Sequence, residues 1–132
     1  MRRARLIPHL ILCAAVALSG SSALAATPEE RLLELVNDIR VSRDHRPFVE
    51  SHRLSRRAER NSQKMARNKE LSHSKLSAGM AENIGTGSTL RRVVRAWMRS
   101  GPHKRNLLGN HRKAGVGVDK AAGLYWVTLI LR

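Results

Sequence analysis

The stretch LYWVTLIL, residues 124–131, decides the fold. Tyr125, Val127, Leu129 and Leu131 alternate with Trp126, Thr128 and Ile130, so the strand it predicts is apolar on both faces. Strands with one wet face alternate apolar and polar residues, whereas this one belongs inside a sheet covered on both sides. Just upstream, AGVGV (114–118) reads as its hairpin partner across the five-residue connection DKAAG (119–123). Gly115 and Gly117, two apart, share one face of that partner, where missing side chains let a helix come close. AENIG (81–85) reads as a further short strand, with Glu82 and Ile84 on one face and Asn83 on the other.

The covering layers come from three helical patterns. In TPEERLLELVNDIR (27–40), Thr27 caps, Pro28 takes the first helical position and Glu30 completes a capping box; Leu32, Leu35, Val36 and Ile39 recur at helical spacing. SHRLSRRAERNSQKMARNKE (51–70) has a narrow face of small residues, Leu54, Ala58, Ser62 and Met65, with arginines around the rest. STLRRVVRAWMRS (88–100) is capped by Ser88 or Thr89 and turns Leu90, Val93, Val94 and Trp97 inward. GPHKRNLLGN (101–110) reads as a turn with a short helical piece, and LSHSKLSAGM (71–80) as irregular. The sum is an α+β fold, a three-layer α–β–α sandwich around a small antiparallel sheet of about three strands.

The chain starts with a different kind of signal. MRRAR is basic, LIPHLILCAAVALSG is apolar but too short to span a membrane comfortably, and Ala23 and Ala25 stand in the A-x-A positions of a cleavage site. Residues 1–25 are therefore read as a secretory signal peptide and 26–132 as one domain that is secreted, extracellular and not transmembrane. Leu12 before Cys13 is not the small residue a lipoprotein site needs. Cleavage takes 25 of the 132 residues, including Arg2, Arg3, Arg5 and the lone cysteine; 107 residues with a formal charge of +12 remain. A disulfide-free secreted domain of that size must rely on its core.

Such a charge implies adhesion to anionic surfaces, here anionic cell-envelope polymers, through two basic stripes. These are Arg53, Arg56, Arg57, Arg60, Lys64 and Arg67 on the second helix, and Arg91, Arg92, Arg95 and Arg99 on the third. The bland reading of both is a solvated face. Specific nucleic-acid recognition is not expected, because Phe48, Trp97, Tyr125 and Trp126 are the only aromatic residues and mostly structural.

His45 and His52 sit in charged, loop-like contexts. His73 and His103 each follow a break and stand beside Ser, Gly or Pro, where a side chain can turn into a cleft, and Glu82 lies nine residues after His73. The alternative for any one of them is an ordinary surface or hydrogen-bonded histidine. Their spacing matches no compact zinc motif. Ser72, Ser74 and Ser100 make a Ser-His-Glu set conceivable, but no G-x-S-x-G elbow is present.

The order VNDIR, L-x-x-x-A-x-x-x-S-x-x-M-A, LSHS, AENIGTG, VVRAWMRSGPHKRNLL, VGVD and YWVTLIL resembles the CAP superfamily. This is the family of cysteine-rich secretory proteins, antigen 5 and pathogenesis-related 1 proteins, also called SCP, and the match over residues 29–132 is to its short, disulfide-free bacterial branch. SGPHKRNLL is similar to that branch's S-P-x-H-R-x-N-I-L segment, and AENIG to its G-E-N-I/V-A/G segment. The resemblance implies an α–β–α sandwich whose central cleft is lined by His73, Glu82 and His103. It also implies that His73 and His103 can take a divalent metal such as zinc, no cofactor being strictly required. The sequence departs from the better-known members in four ways. Ser100 stands where they carry a second glutamate, Ala81 replaces a glycine, the His73–Glu82 spacing is short, and the cysteines are missing.

The leading functional expectation is a non-enzymatic extracellular binding module with this His/Glu-lined cleft. Its alternatives are a weak metal-assisted or serine hydrolase, a lipid- or sterol-binding carrier, and a purely structural His-Glu cluster.

Overall fold

A computed structural model describes residues 24–132. The expected signal peptide, with its cleavage-site Ala23 and Cys13, lies outside the described residues apart from Leu24 and Ala25.

Four helices and four strands follow one another as α1 (Pro28–Val41), β1 (Val49–Glu50), α2 (His52–Asn68), β2 (Ala81–Gly87), α3 (Leu90–Arg99), α4 (Gly101–Leu107), β3 (Lys113–Ala121) and β4 (Leu124–Leu131). The capping box forms as the sequence predicts: the Thr27 hydroxyl accepts from Glu30 N at 3.2 Å, and Thr27 N donates to Glu30 Oε2 at 2.8 Å. Of the two candidate caps of α3, Thr89 is used, accepting from Arg92 N at 3.2 Å. Lys69 ends α2 in the left-handed conformation.

The strand order is β1-β3-β4-β2, so the doubly apolar β4 is an inner strand. Its odd-numbered residues Val127, Leu129 and Leu131 join Leu32, Val36, Val93, Val94, Trp97 and Leu107 in the main core, beneath α1, α3 and α4. Its even-numbered residues face α2: Trp126 packs with Met65 and Ala66, and Ile130 with Leu54 and Ala58. The three layers are thus α2, the sheet, and the group α1, α3 and α4.

Two expectations need correction. The sheet is mixed and has four strands, because the two-residue β1 pairs in parallel with β3 through Val49↔Lys113 and Glu50↔Ala114. Two residues carry no readable alternation. The hairpin connection is also shorter than five residues. Asp119, Lys120 and Ala121 stay paired with Trp126, Tyr125 and Leu124, leaving only Ala122 and Gly123 to turn. Both have positive φ, 51° and 76°, as a tight two-residue hairpin turn of this hand requires. Alanine rarely adopts that conformation, which concealed the turn in the sequence.

The two glycines of β3 do what their spacing predicts. A Cβ at Gly115 would lie 2.1 Å from the Leu54 carbonyl carbon, and one at Gly117 would lie 2.2 Å from that of Ala58. Helix α2 therefore rests on strand backbone. Its hydroxyls complete the contact: Ser62 donates to Gly117 O at 2.9 Å and pairs with the Thr128 hydroxyl at 3.0 Å, and Ser55 Oγ accepts from Val116 N at 3.1 Å.

Candidate functional site

β2 is an edge strand, and its alternation sends consecutive residues to opposite faces. Glu82 is registered with Ile130 on the α2 face, and Asn83 with Leu129 on the other. Each of these two neighbours organises one histidine.

The Glu82 side chain is only 1% exposed, whereas that of His73 is 60% exposed. Burying a carboxylate requires compensating donors. Glu82 has three: His73 Nδ1 lies 2.7 Å from Oε1, Ser74 N donates to Oε1 at 2.9 Å, and the Ser74 hydroxyl donates to Oε2. The 71–80 segment is pinned once more from α2, where buried Asn61 donates to Ser72 O at 3.0 Å. His73 is thus fixed by its Nδ1 and presents Nε2 to solvent. With Nδ1–H turned to Glu82, Nε2 carries the lone pair and can accept from a ligand or coordinate a metal.

Asn83 is fully buried. Its Nδ2 donates to His103 O at 3.1 Å, and its Oδ1 accepts from Asn106 Nδ2 at 2.9 Å, which ties α4 to the strand. His103 comes close enough to His73 for their charges to interact. Its pKa is lowered first by burial and then by repulsion from His73, so the neutral ring is favoured.

The structure therefore brings His73, Glu82 and His103 to one end of the sheet. His45 and His52 lie elsewhere, on the α1–β1 loop and at the start of α2. Ser74 is turned to Glu82 and not to the outward nitrogen of His73, so it is not poised as a nucleophile activated by that ring. Among the described residues no group of three or more His, Cys, Asp or Glu side chains converges as a metal cage. The donors available to a metal are two imidazoles, with Glu82 largely spent on orienting one of them.

The basic stripes fall on opposite outer layers. Arg53, Arg56, Arg57, Arg60, Lys64 and Arg67 follow α2, and Arg91, Arg92, Arg95 and Arg99 follow α3; all are exposed except the partly covered Arg57. Among the described residues the only lysine or arginine ion pair is Arg31–Glu34 at 3.8 Å. Hollows of about 550 Å³ between the starts of α1 and α3 and of about 690 Å³ beside β1 lie away from His73 and His103; the second is lined in part by His45 and His111. No helix among the described residues is long and apolar enough to cross a membrane.

Sequence reasoning missed Asn61 and Asn83 as organisers. For Asn83 a signal existed: an amide on the core-facing side of a doubly covered strand must find partners. Asn61 showed none, because it sits one residue outside the small-residue face of its helix.

Comparison with known proteins completes the description. The family model described as "CAP: Cysteine-rich secretory protein family" matches residues 33–130. No curated protein sequence matches the chain. Among solved structures, an outer surface protein of Borrelia burgdorferi superposes with a TM-score of 0.70 at 18% identity, over 79% of this chain and 90% of that one. An extracellular SCP-domain protein of Bacillus anthracis gives 0.69 at 21% identity, over 79% of this chain but only 39% of its own. Venom allergen-like protein 4 of Schistosoma mansoni gives 0.64 at 10% identity, over 80% of this chain and 88% of its own. At these identities the likeness is one of fold, and it agrees with the sandwich described above. The family match spans both histidines, Glu82 and nearly the whole domain, and the chain belongs to the CAP, or cysteine-rich secretory protein, family.

Proposed function

We propose that this is a secreted, non-enzymatic binding module. It engages ligands through the groove of His73, Glu82 and His103, and its two basic layers hold it to anionic cell-envelope polymers. The observation that carries this reading is the saturation of Glu82. With three donors from His73 and Ser74 already on its oxygens, the carboxylate serves to orient an imidazole and has little capacity left to act as a base. The structures of outer surface and extracellular relatives are consistent with secretion.

The donor set fits a divalent ion such as zinc held by His73 and His103, with Glu82 fixing the His73 ring from behind in the manner of a carboxylate–histidine–metal arrangement. Such an ion would supply Lewis acidity and open coordination positions. The protein's part is to orient both rings, and the lowered pKa of His103 favours the neutral form that a metal needs there.

The test has two arms. Zinc is titrated calorimetrically near neutral pH into residues 26–132 and into the double variant His73→Ala/His103→Ala. Stoichiometric binding by the parent and none by the variant is expected. In parallel, retention on an anionic matrix should fall steeply with salt, while no substrate class is turned over. Chelator-sensitive turnover that disappears in Glu82→Gln would overturn the non-enzymatic reading in favour of a metal-assisted hydrolase.

A lipid or sterol carrier remains the second reading, carried by the apolar floor of the groove between α1 and α3, where Leu35, Ile39, Val94 and Met98 line a hollow of about 380 Å³. Lipid retained in a native mass spectrum of the purified protein would favour it.

A further inference from the structure

Arg40, near the end of α1, is 3% exposed, yet it has no carboxylate within ion-pair distance among the described residues. Buried charges are normally paired. Here backbone carbonyls stand in. Nε donates to Arg46 O at 2.7 Å, and Nη1 donates to Leu107 O at 2.6 Å and Gly109 O at 3.0 Å, while the guanidinium carbon sits 3.8 Å over the Phe48 ring. These contacts solvate the cation but leave its full charge uncompensated. None of the described hydrogen bonds uses Nη2, and Arg40 lines the hollow of about 690 Å³ at the β1 edge of the sheet, the edge opposite the strand that carries Glu82.

The rest of that hollow is chosen in the same sense. Arg46 and Arg112 line it with Arg40, against a single acid, Asp44; Asn110 adds an amide, and Pro47 and Val49 an apolar wall. Three arginines and one aspartate leave an excess of two positive charges. His45 and His111 complete the wall, and the His111 pKa is lowered first by burial and then by the positive charge of Arg40. A phosphate monoester carries about −1.5 to −2 charges at neutral pH and presents three oxygens. Guanidinium forks match phosphate oxygens in planar, bidentate fashion. The volume exceeds what the phosphate alone needs, and the apolar wall suits the carbon skeleton that bears it.

We propose that the hollow formed by Arg40, Arg46, Arg112 and Asn110 is a binding site for a phosphate-bearing ligand, distinct from the histidine groove and from the basic helix faces. The phosphate supplies the counter-charge that the buried Arg40 lacks, and Asp44 disfavours more highly charged anions.

Inorganic phosphate is titrated into the protein at constant ionic strength, with chloride making up the balance, while NMR follows the Arg40 Nε–H and the His111 ring. Saturable shifts confined to this edge are expected, together with a rise in the His111 pKa as the anion arrives. Arg46→Gln and Arg112→Gln should each weaken binding about tenfold, as loss of one charge-assisted pair implies. Arg95→Gln on the outer face of α3 should leave it unchanged. Unaltered thermal unfolding of the two variants separates loss of binding from loss of fold, which Arg40→Met would confuse. Glycerol phosphate, a monoester, and dimethyl phosphate, a diester, tell the two sources apart: tighter monoester binding points to a free phosphorylated metabolite, tighter diester binding to a polymer. The proposal fails if phosphate shifts this edge no more than chloride does, if the shifts spread evenly over the α2 and α3 arginines, or if Arg46→Gln and Arg112→Gln bind as the parent.

Discussion

On one face of the sheet Gly115 and Gly117 meet the backbone of α2, whereas on the other Ala114, Val116, Val127, Leu129 and Leu131 meet the side chains of Leu32, Val36, Val93 and Trp97. The first contact holds little apolar volume. It is set by van der Waals distance between main chains and by buried polar pairs, Ser62 with Gly117 O and Thr128, and Asn61 with Thr128 and Ser72 O. The second holds most of the buried apolar surface and can adjust through rotamers. The support of His73 and His103 takes half from each. Glu82 fixes His73 on the rigid face, and Asn83 fixes His103 on the adjustable one, so two adjacent residues of one edge strand bring together side chains from two differently built layers.

The largest expected effect tests the rigid face. In Gly117→Ala the new Cβ would meet Ala58 C at 2.2 Å and Glu59 N at 2.3 Å, backbone atoms that move only if the whole helix moves. A cost of about 3 kcal/mol or more is expected in denaturant unfolding, beyond the usual middle of the overpacking range. Gly85→Ala is the matched probe of the adjustable face. Its Cβ would meet Val93 Cγ1 at 2.9 Å and Trp97 Nε1 at 3.1 Å, both side-chain atoms, and about 1 kcal/mol is expected. Equal costs for the two would break the contrast.

A smaller effect tests whether the two halves of the site are separate. Asn83→Ala leaves His103 O and Asn106 Nδ2 without their partners inside a covered layer. A cost of about 2 kcal/mol is expected. The ring signals of His103 should broaden as α4 loosens, while those of His73, held by Glu82 on the other face, should not move. Equal disturbance of both rings would mean that the two faces respond as a single cooperative unit.

What the sequence made legible follows the same division. The doubly apolar run 124–131, the two glycines of β3, the small face of α2 and the capping box all rest on period and on steric need, and each has its counterpart in the structure. The errors sit where those signals vanish. Two residues of β1 are too few for a period, and an alanine at φ 51° conceals a tight turn. In the site, His73, Glu82 and His103 stood out by residue type and through the family resemblance. Their supports did not, because an asparagine or an arginine looks solvated until burial shows that it is not. Arg40 falls outside the apolar spacing of α1, yet it is as buried as Phe48 beneath it. Polar residues that hold loops together obey no spacing rule, since their partners come from anywhere in the chain.

The smallest expected effect concerns pH and again separates the faces. His103 and His111 both have folded-state pKa values below the ordinary histidine value, chiefly through burial. Between the lowered value and about 6.5 the unfolded chain binds protons that the folded protein refuses. Stability therefore holds above about pH 6.5 and declines as the pH falls through that window. His103→Gln should flatten part of this acid limb, and His111→Gln another part. Because one residue sits at the β2 edge and the other at the β1 edge, their contributions should add. Urea midpoints for the parent, the two single variants and the double variant, measured from pH 7.5 to 5, check this. If the single variants track the parent, the acid limb belongs to groups other than these two histidines. If the singles flatten the limb but do not add, the two edges communicate through α4, which carries His103 near its start and supplies the Leu107 carbonyl to Arg40 at its end. In that event phosphate at one edge would bias the histidine pair at the other.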